Sequence, residues 1–284
     1  MSQDLGQKWL IKGQELQLDK PLIMGILNVT PDSFHDGGQF YDPLKALARA
    51  REMIAEGAAI IDVGGESTRP GSQAVSADEE ISRILPIIEQ LASQTDTLIS
   101  IDTQKASVAQ AAIEAGAHII NDVSAGRNSI EMFDLVKGSQ VGYILMHMQG
   151  NPATMQNAPS YINVLEDVTR FFKERLKQAS LAGIDMVRIV LDPGIGFGKT
   201  LEDNLTLLGN LKKLQVLARP LLLGASRKSF IGMIDNSTSD KRLGGSLAAV
   251  VSAYRQGVKL FRVHDVAETR QVLDIFTAIQ KHSD

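Results

Sequence analysis

The chain has 284 residues, 44% of them hydrophobic, with 33 acidic against 29 basic side chains for a net charge of −4. That length and composition allow one large buried core and argue against disorder, and the mildly acidic balance argues against general nucleic-acid binding. There is no cysteine, which excludes disulfides, thiolate metal sites and cysteine nucleophiles.

The start, MSQDLGQKWLIKG, lacks the basic-then-apolar order of a signal peptide. No run reaches the roughly 18 apolar residues of a membrane helix, so a soluble, cytoplasmic protein with no membrane partner is expected. Trp9-Leu10-Ile11 and Leu16-Gln17-Leu18 flank Gly13-Gln14 and predict a hairpin over about 8–19. Ahead of a barrel, such a hairpin would cover the bottom.

Eight short apolar runs then recur, and nearly every one ends in polar residues. They are Leu22–Val29 with Asn28, Ala58–Gly65 followed by Glu66, Thr97–Thr103 with Asp102, and His118–Ser124 with Asn121 and Asp122. Val141–His147, Val187–Gly194 with Asp192, Leu221–Ser226, and Val258–Asp265 with Arg262 and His264 complete the set. Continuous Val/Ile/Leu runs read as buried parallel strands.

Between them lie helical patterns. Asp42-Pro43 is an N-cap with proline at the first helical position. Ser76 with Glu79 forms a capping box before Ile81, Ile84, Leu85, Ile88 and Leu91. Helices are also expected over Lys105–Glu114, Ser129–Val136, Asn163–Ala182, Thr200 toward Val216, Leu243–Tyr254, and from Asp265, with Glu268 repeating the capping box. Eight strand–helix units predict an α/β fold, a (β/α)8 TIM barrel over about 21–282 with the hairpin ahead of it, in a single domain spanning 1–284. An open doubly wound sheet is the runner-up. It would more often carry a GxGxxG loop after its first strand, where this chain runs into Asn28-Val29-Thr30-Pro31.

Three tempting sites fail on inspection. Asp192–Thr200 resembles a phosphate loop but has Pro193 where GxxxxGK[ST] needs glycine. The five histidines, His35, His118, His147, His264 and His282, show no metal-ligand spacing. Lys259, the only lysine within the assigned runs, begins the eighth and so lies at the wrong end for a Schiff base.

In such a barrel the chemistry sits at the carboxyl ends of the strands. Arg69, Lys199, Arg227, Lys228 and Arg262 gather there, a positive patch suited to an anionic, phosphate-like ligand. Asp102, Asn121 and Asp192 would hydrogen-bond a polar heterocycle, being too costly to bury without partners. Ser226 and the amides after it could take a carboxylate. A nucleophilic role for Ser226 is disfavoured because no histidine stands near it in the motif. Phe197, held on a glycine-rich loop, reads as a wall of the pocket. Asn28 could supply one oxygen to Mg²⁺.

Gly25-Ile-Leu-Asn28-Val-Thr-Pro-Asp32-Ser-Phe34 with Asp36-Gly-Gly38, and Asp62-Val-Gly-Gly-Glu66-Ser-Thr68-Arg69-Pro70-Gly71, resemble the first two motifs of the dihydropteroate synthase family. Ser100-Ile-Asp102-Thr, Ile120-Asn121-Asp122-Val-Ser, Leu145-Met146-His147-Met, Asp192-Pro-Gly-Ile-Gly-Phe197-Gly-Lys199, Ser226-Arg227-Lys228-Ser and Arg262-Val-His264-Asp265 continue it in order. The resemblance implies a homodimeric barrel enzyme of folate synthesis, the target of sulfonamides. It would join 6-hydroxymethyl-7,8-dihydropterin diphosphate to p-aminobenzoate, releasing diphosphate.

By motif, Asp102, Asn121, Asp192 and Lys228 would hold the pterin, with Met146 also in the substrate site. Asn28 would bind Mg²⁺, and Arg262 with His264 the diphosphate. Thr68, Pro70, Ser226, Phe34 and Phe197 would shape the aminobenzoate pocket, helped by Asp36 and Arg69. His35 stands where the family commonly has serine, and His147 has no role derivable from the sequence. The alternatives are a methyltetrahydrofolate-dependent methyltransferase, which has no use for a diphosphate clamp, and a non-catalytic pterin-binding paralogue.

Overall fold

A computed structural model describes residues 8–30, 43–67, 71–151 and 154–282. Two antiparallel strands, β1 (Lys8–Ile11) and β2 (Gln14–Gln17), form the expected hairpin. Its turn, Lys12-Gly13, has both residues at positive φ, as a two-residue hairpin loop requires.

Eight parallel strands follow: β3 (Leu22–Asn28), β4 (Ile60–Gly64), β5 (Leu98–Asp102), β6 (Ile119–Asp122), β7 (Gly142–Met146), β8 (Ile189–Asp192), β9 (Leu222–Leu223) and β10 (Leu260–Val263). They pair in the order β8-β7-β6-β5-β4-β3-β10-β9. A parallel bridge between Leu191 and Leu221, with the Leu191 amide on the Pro220 carbonyl at 3.0 Å, closes β8 onto β9. The expected barrel is present, and most strands stop short of the apolar run because the polar residues beyond have left the ladder.

Helices α1 (Pro43–Ala55), α2 (Ala77–Gln94), α3 (Ala106–Glu114), α4 (Met132–Ser139), α5 (Val164–Leu181) and α6 (Leu201–Gly209) follow the first six barrel strands. Both α7 (Ser229–Asp235) and α8 (Leu243–Arg255) follow β9, and α9 (Val266–Gln280) follows β10. Local capping explains several starts. Ser76 accepts the Glu79 amide, Asn163 accepts the Leu165 and Glu166 amides, and Thr200 with Asp203 makes a complete capping box.

Four expectations need correction. The run from Thr200 breaks at Gly209-Asn210, where Asn210 leaves helical geometry, and continues as a 3-10 segment, Leu211–Leu217. Helix α7 is additional, in a stretch with no strong helical period. The fourth helix starts at Met132 rather than Ser129. Neither predicted capping box at Ser76 or Asp265 is complete: Glu79 turns to Arg83, and Asp265 is drawn away by Arg227.

Side chains alternate across a strand, so the barrel interior is built in tiers. The lowest holds Met24, Ile60, Ile119, Ile144, Val190, Leu222 and Leu260, packed against Trp9, Ile11 and Leu18 of the hairpin region. Trp9 Nε1 donates to the Arg188 carbonyl at 2.7 Å, tying the hairpin to the base. The alternate positions face the helices and form the larger core.

Candidate active site

Two residues further along each strand the interior becomes polar. The tier above the apolar floor is Ile26, Asp62, Asn121, Met146, Asp192, Gly224 and Arg262. Above it come Asn28, Asp102, Val123, Ser226 and His264. Apart from the deeper Asp62, these side chains line a cavity of about 500 Å³ at the carboxyl end of the barrel, together with Phe197, Arg227, Lys228, Met155, Ser239 and Arg242.

Arg262 organises the cavity floor. Its Nε donates to Asp62 Oδ2 at 2.6 Å and one Nη to Asp102 Oδ2 at 2.6 Å. Asn121 Nδ2 reaches the same Asp62 oxygen at 3.1 Å. Burial alone would lower the Arg262 guanidinium, but Asp62 and Asp102 hold it above its ordinary value. Burial pushes the Asp102 carboxyl up to about 7, against the pull of Arg262 and with a further push from Asp62 and Glu80. Among the described residues Asp62 Oδ1 and Asp102 Oδ1 are buried without a hydrogen-bond partner. Asp102 lines the cavity, and its free acceptor matches a heterocycle with N–H donors, since a buried acceptor left unpaired is costly.

Asp192 lies across the floor, buried and raised by that burial. The Gly194 amide on Oδ1 at 2.7 Å offsets part of the shift, as do Lys228 and Arg262. That bond begins a tight loop. Gly194 has φ +67, and a Cβ there would lie 2.0 Å from the His147 carbonyl oxygen, so only glycine fits. Phe197 reaches the cavity wall, and Lys228 Nζ sits 3.9 Å over its ring centre, a cation–π contact.

At the rim, Ser226 Oγ lies 3.0 Å from His264 Nδ1 and accepts the His264 amide at 3.2 Å. Either group can donate in the contact between the hydroxyl and Nδ1, according to the histidine tautomer. Burial, then Arg262 and Arg227, lowers His264 to about 3, so its ring is neutral. The sequence places no histidine beside Ser226, but the barrel closes across 38 residues and does.

Asp102, Asn121, Asp192, Lys228, Arg262, His264, Ser226, Phe197, Met146 and Asn28 therefore share one cavity. Asp36, Phe34, Thr68, Arg69 and Pro70 lie outside the described residues.

The positive patch needs correction. Lys199 is 2% exposed, and its Nζ is spent inside the protein on Gly194 O, Phe197 O and His147. Arg227 forks onto Asp265. Asp62 is the residue that reading the strand ends overlooks. It lies mid-strand, two positions beyond the apolar floor residue Ile60, and the period of two points it inward.

Asn28 is the one predicted metal ligand. Among the described residues no group of three or more His, Asp or Glu side chains converges to hold a metal ion.

Comparison with known proteins agrees with this geometry. Residues 24–264 match the family described as pterin binding enzyme. The chain is 46% identical over 273 residues to dihydropteroate synthase of Escherichia coli strain K12, covering 95% of this chain and 96% of that one. A crystal structure of Yersinia pestis dihydropteroate synthase with a sulfonamide drug superposes with a TM-score of 0.92 at 42% identity, over 96% of this chain and 99% of the other. Xanthomonas albilineans dihydropteroate synthase in complex with 7,8-dihydropteroate gives a TM-score of 0.85 at 42% identity, over 94% and 97%.

Proposed function

The chain belongs to the pterin binding enzyme family and is a transferase with dihydropteroate synthase activity, and we propose how its cavity performs that reaction. The carrying observation is the buried floor of Asp62, Asp102, Asn121, Asp192 and Arg262 beneath a rim of His264 and Lys228.

The pterin ring of 6-hydroxymethyl-7,8-dihydropterin diphosphate lies on that floor. Its ring and exocyclic N–H groups donate to the partnerless oxygen of Asp102 and to Asp192, while the deeper Asp62 holds Arg262 and Asn121 in place. Arg262 keeps one Nη without a hydrogen bond among the described residues, and together with His264, in the tautomer protonated on Nε2, it faces the diphosphate as donors. No membrane-spanning helix is found among the described residues.

p-Aminobenzoate carries an aromatic amine, a weak nucleophile, so departure of the diphosphate leads. The bond from the pterin methylene carbon to the diphosphate oxygen breaks with its electron pair leaving on oxygen. The carboxylates of Asp192 and Asp102 stabilise the positive charge that develops on the pterin side. The amine then bonds to the methylene carbon and loses a proton, so no strong general base is required. Phe197 walls the aminobenzoate pocket, and the amides of the loop after Ser226 take its carboxylate. Phe34, Asp36, Thr68, Arg69 and Pro70, outside the described residues, are assigned to the same pocket by the family motifs that carry them.

Asn28 lines the cavity, and its amide oxygen, a hard donor, would hold Mg²⁺ there. When bound, Mg²⁺ supplies charge stabilisation to the leaving diphosphate. The reading includes a cytoplasmic homodimer. The exposed Ile275 and Ile279 on α9 support a dimer surface there, and light scattering of the purified chain tests it.

The function is tested by incubating the chain with the pterin diphosphate, radiolabelled p-aminobenzoate and Mg²⁺, then separating the product. Labelled dihydropteroate is expected, and its absence rejects the reading.

A further inference from the structure

The loop between β8 and α6 carries a lysine that the proposed reaction does not use. Lys199 Nζ donates to Gly194 O at 2.8 Å and Phe197 O at 3.0 Å, and lies 3.0 Å from His147 Nδ1 and 3.3 Å from His147 O. An ammonium has three protons, and these acceptors use all of them. Among the described residues Lys199 makes no ion pair, so every partner is neutral.

Burying a cation without a carboxylate is expensive. Burial pushes Lys199 down to about 7 against the pull of Asp192, and it holds His147 well below the ordinary histidine range, with Lys199 and Arg127 adding to that shift. His147 is therefore a neutral acceptor. Its ring is fixed edge-on to Phe171, centroids 4.8 Å apart, and near Tyr161 at 6.0 Å. The lysine thus joins a rigid point at the end of β7 to a loop whose Gly194, Gly196 and Gly198 all lie at positive φ. A methyl-terminated side chain of similar volume would fill the space but leave the Phe197 carbonyl unpaired and the Gly194 carbonyl with the Phe197 amide as its remaining donor.

The joined loop is the wall of the cavity. Nζ holds the carbonyl of Phe197 itself, while the ring of Phe197 lies under Lys228. The Lys228 side chain also packs against Gly196, where an added Cβ would stand 3.2 Å from Cδ. We propose that Lys199 is a positioning residue that pins the Phe197 wall of the aminobenzoate pocket to the end of β7. The inference rests on the reading of Phe197 as that wall.

The test replaces Lys199→Met in the full chain labelled with 4-fluorophenylalanine, the Phe197 signal being assigned with Phe197→Leu. The Phe197 fluorine resonance shifts or broadens. The p-aminobenzoate KM rises about tenfold or more while kcat changes by less than about threefold, as expected when a wall moves by a fraction of an ångström. Lys199→Gln keeps two N–H donors without the charge and recovers part of the KM. It also carries the test if Lys199→Met does not fold.

An unchanged resonance and KM in folded Lys199→Met, or equal losses in the Met and Gln variants, overturns the proposal. Phe197→Ala separates the two readings. A raised KM there with none in Lys199→Met rejects only the role of Lys199, whereas no effect in Phe197→Ala rejects the wall itself.

Discussion

The two ends of the barrel are made from the same strands yet obey opposite rules. At the base, each strand sends an aliphatic residue inward, and the hairpin's Trp9, Ile11 and Leu18 region caps the layer. At the mouth, two or four residues later on those strands, the inward positions carry Asp62, Asp102 and Asn121, buried and linked around a partly buried Arg262, and a buried Asp192 held by the Gly194 amide. Stability is concentrated where burial needs no polar partners. Chemistry is concentrated where buried groups have fewer partners than they can take. A charge network that would be satisfied more cheaply by apolar side chains is retained where a ligand can complete it.

The contrast can be broken by substitutions at either end. Asp62→Ala removes one of the two carboxylates on Arg262 and should strike both properties. Loss of a buried partner costs about 3–5 kcal/mol, read by urea denaturation, and turnover should fall with it. Full stability in that variant would mean that Asp102 alone satisfies the guanidinium.

Trp9→Ala at the base should cost about 3–5 kcal/mol through the cavity it leaves, while kcat of the folded fraction stays at the wild-type value. A large fall in kcat would show that the ends are not separable. Asp192→Asn should do the reverse. Turnover should drop roughly 100-fold or more, the scale of one misplaced electrostatic group, with little change in urea midpoint. Near-normal turnover would refute the role given to Asp192.

The pH dependence probes the buried loop between these extremes. Lys199 has its folded value lowered to about 7 from 10.5, so between those values the unfolded chain binds more protons than the folded one. The destabilising cost of the buried cation is full below about pH 7 and is relieved as pH rises toward 10.5. The limit is a few kcal/mol at about 1.36 kcal/mol per unit. Comparing urea midpoints of wild type and Lys199→Met from about pH 7 to about pH 9 isolates this slope. Parallel curves would mean that Lys199 does not titrate there.

Smallest of all, Asp265→Asn removes the partner of a half-exposed Arg227 and should cost no more than about 1 kcal/mol. A larger loss would place Arg227 within the mouth network.

Much of this architecture is legible along the chain. The eight apolar runs, their alternation with helices and their polar ends predict the barrel and place Asp102, Asn121, Asp192, Ser226, Arg262 and His264 at one end of it. The hairpin and its position at the base follow from Trp9 to Leu18. Asp62 stays hidden because a single carboxylate inside an apolar run carries no mark of its depth. Lys199 is misplaced for a related reason: a loop lysine reads as exposed, and a fully buried, neutral set of acceptors is not visible in a linear order.

By itself the sequence determined the strand and helix periods, the parallel barrel they imply, and the kinds of side chain gathered at its carboxyl end. These depend on local patterning and on the burial of repeated apolar faces. Only the closed barrel decided which of those side chains meet. Arg262 finds Asp62 and Asp102 across 200 and 160 residues, Ser226 finds His264 across 38, and Lys199 finds His147 across 52. Such pairings are set by strand order, register and the direction of each side chain, and those are properties of the packed molecule.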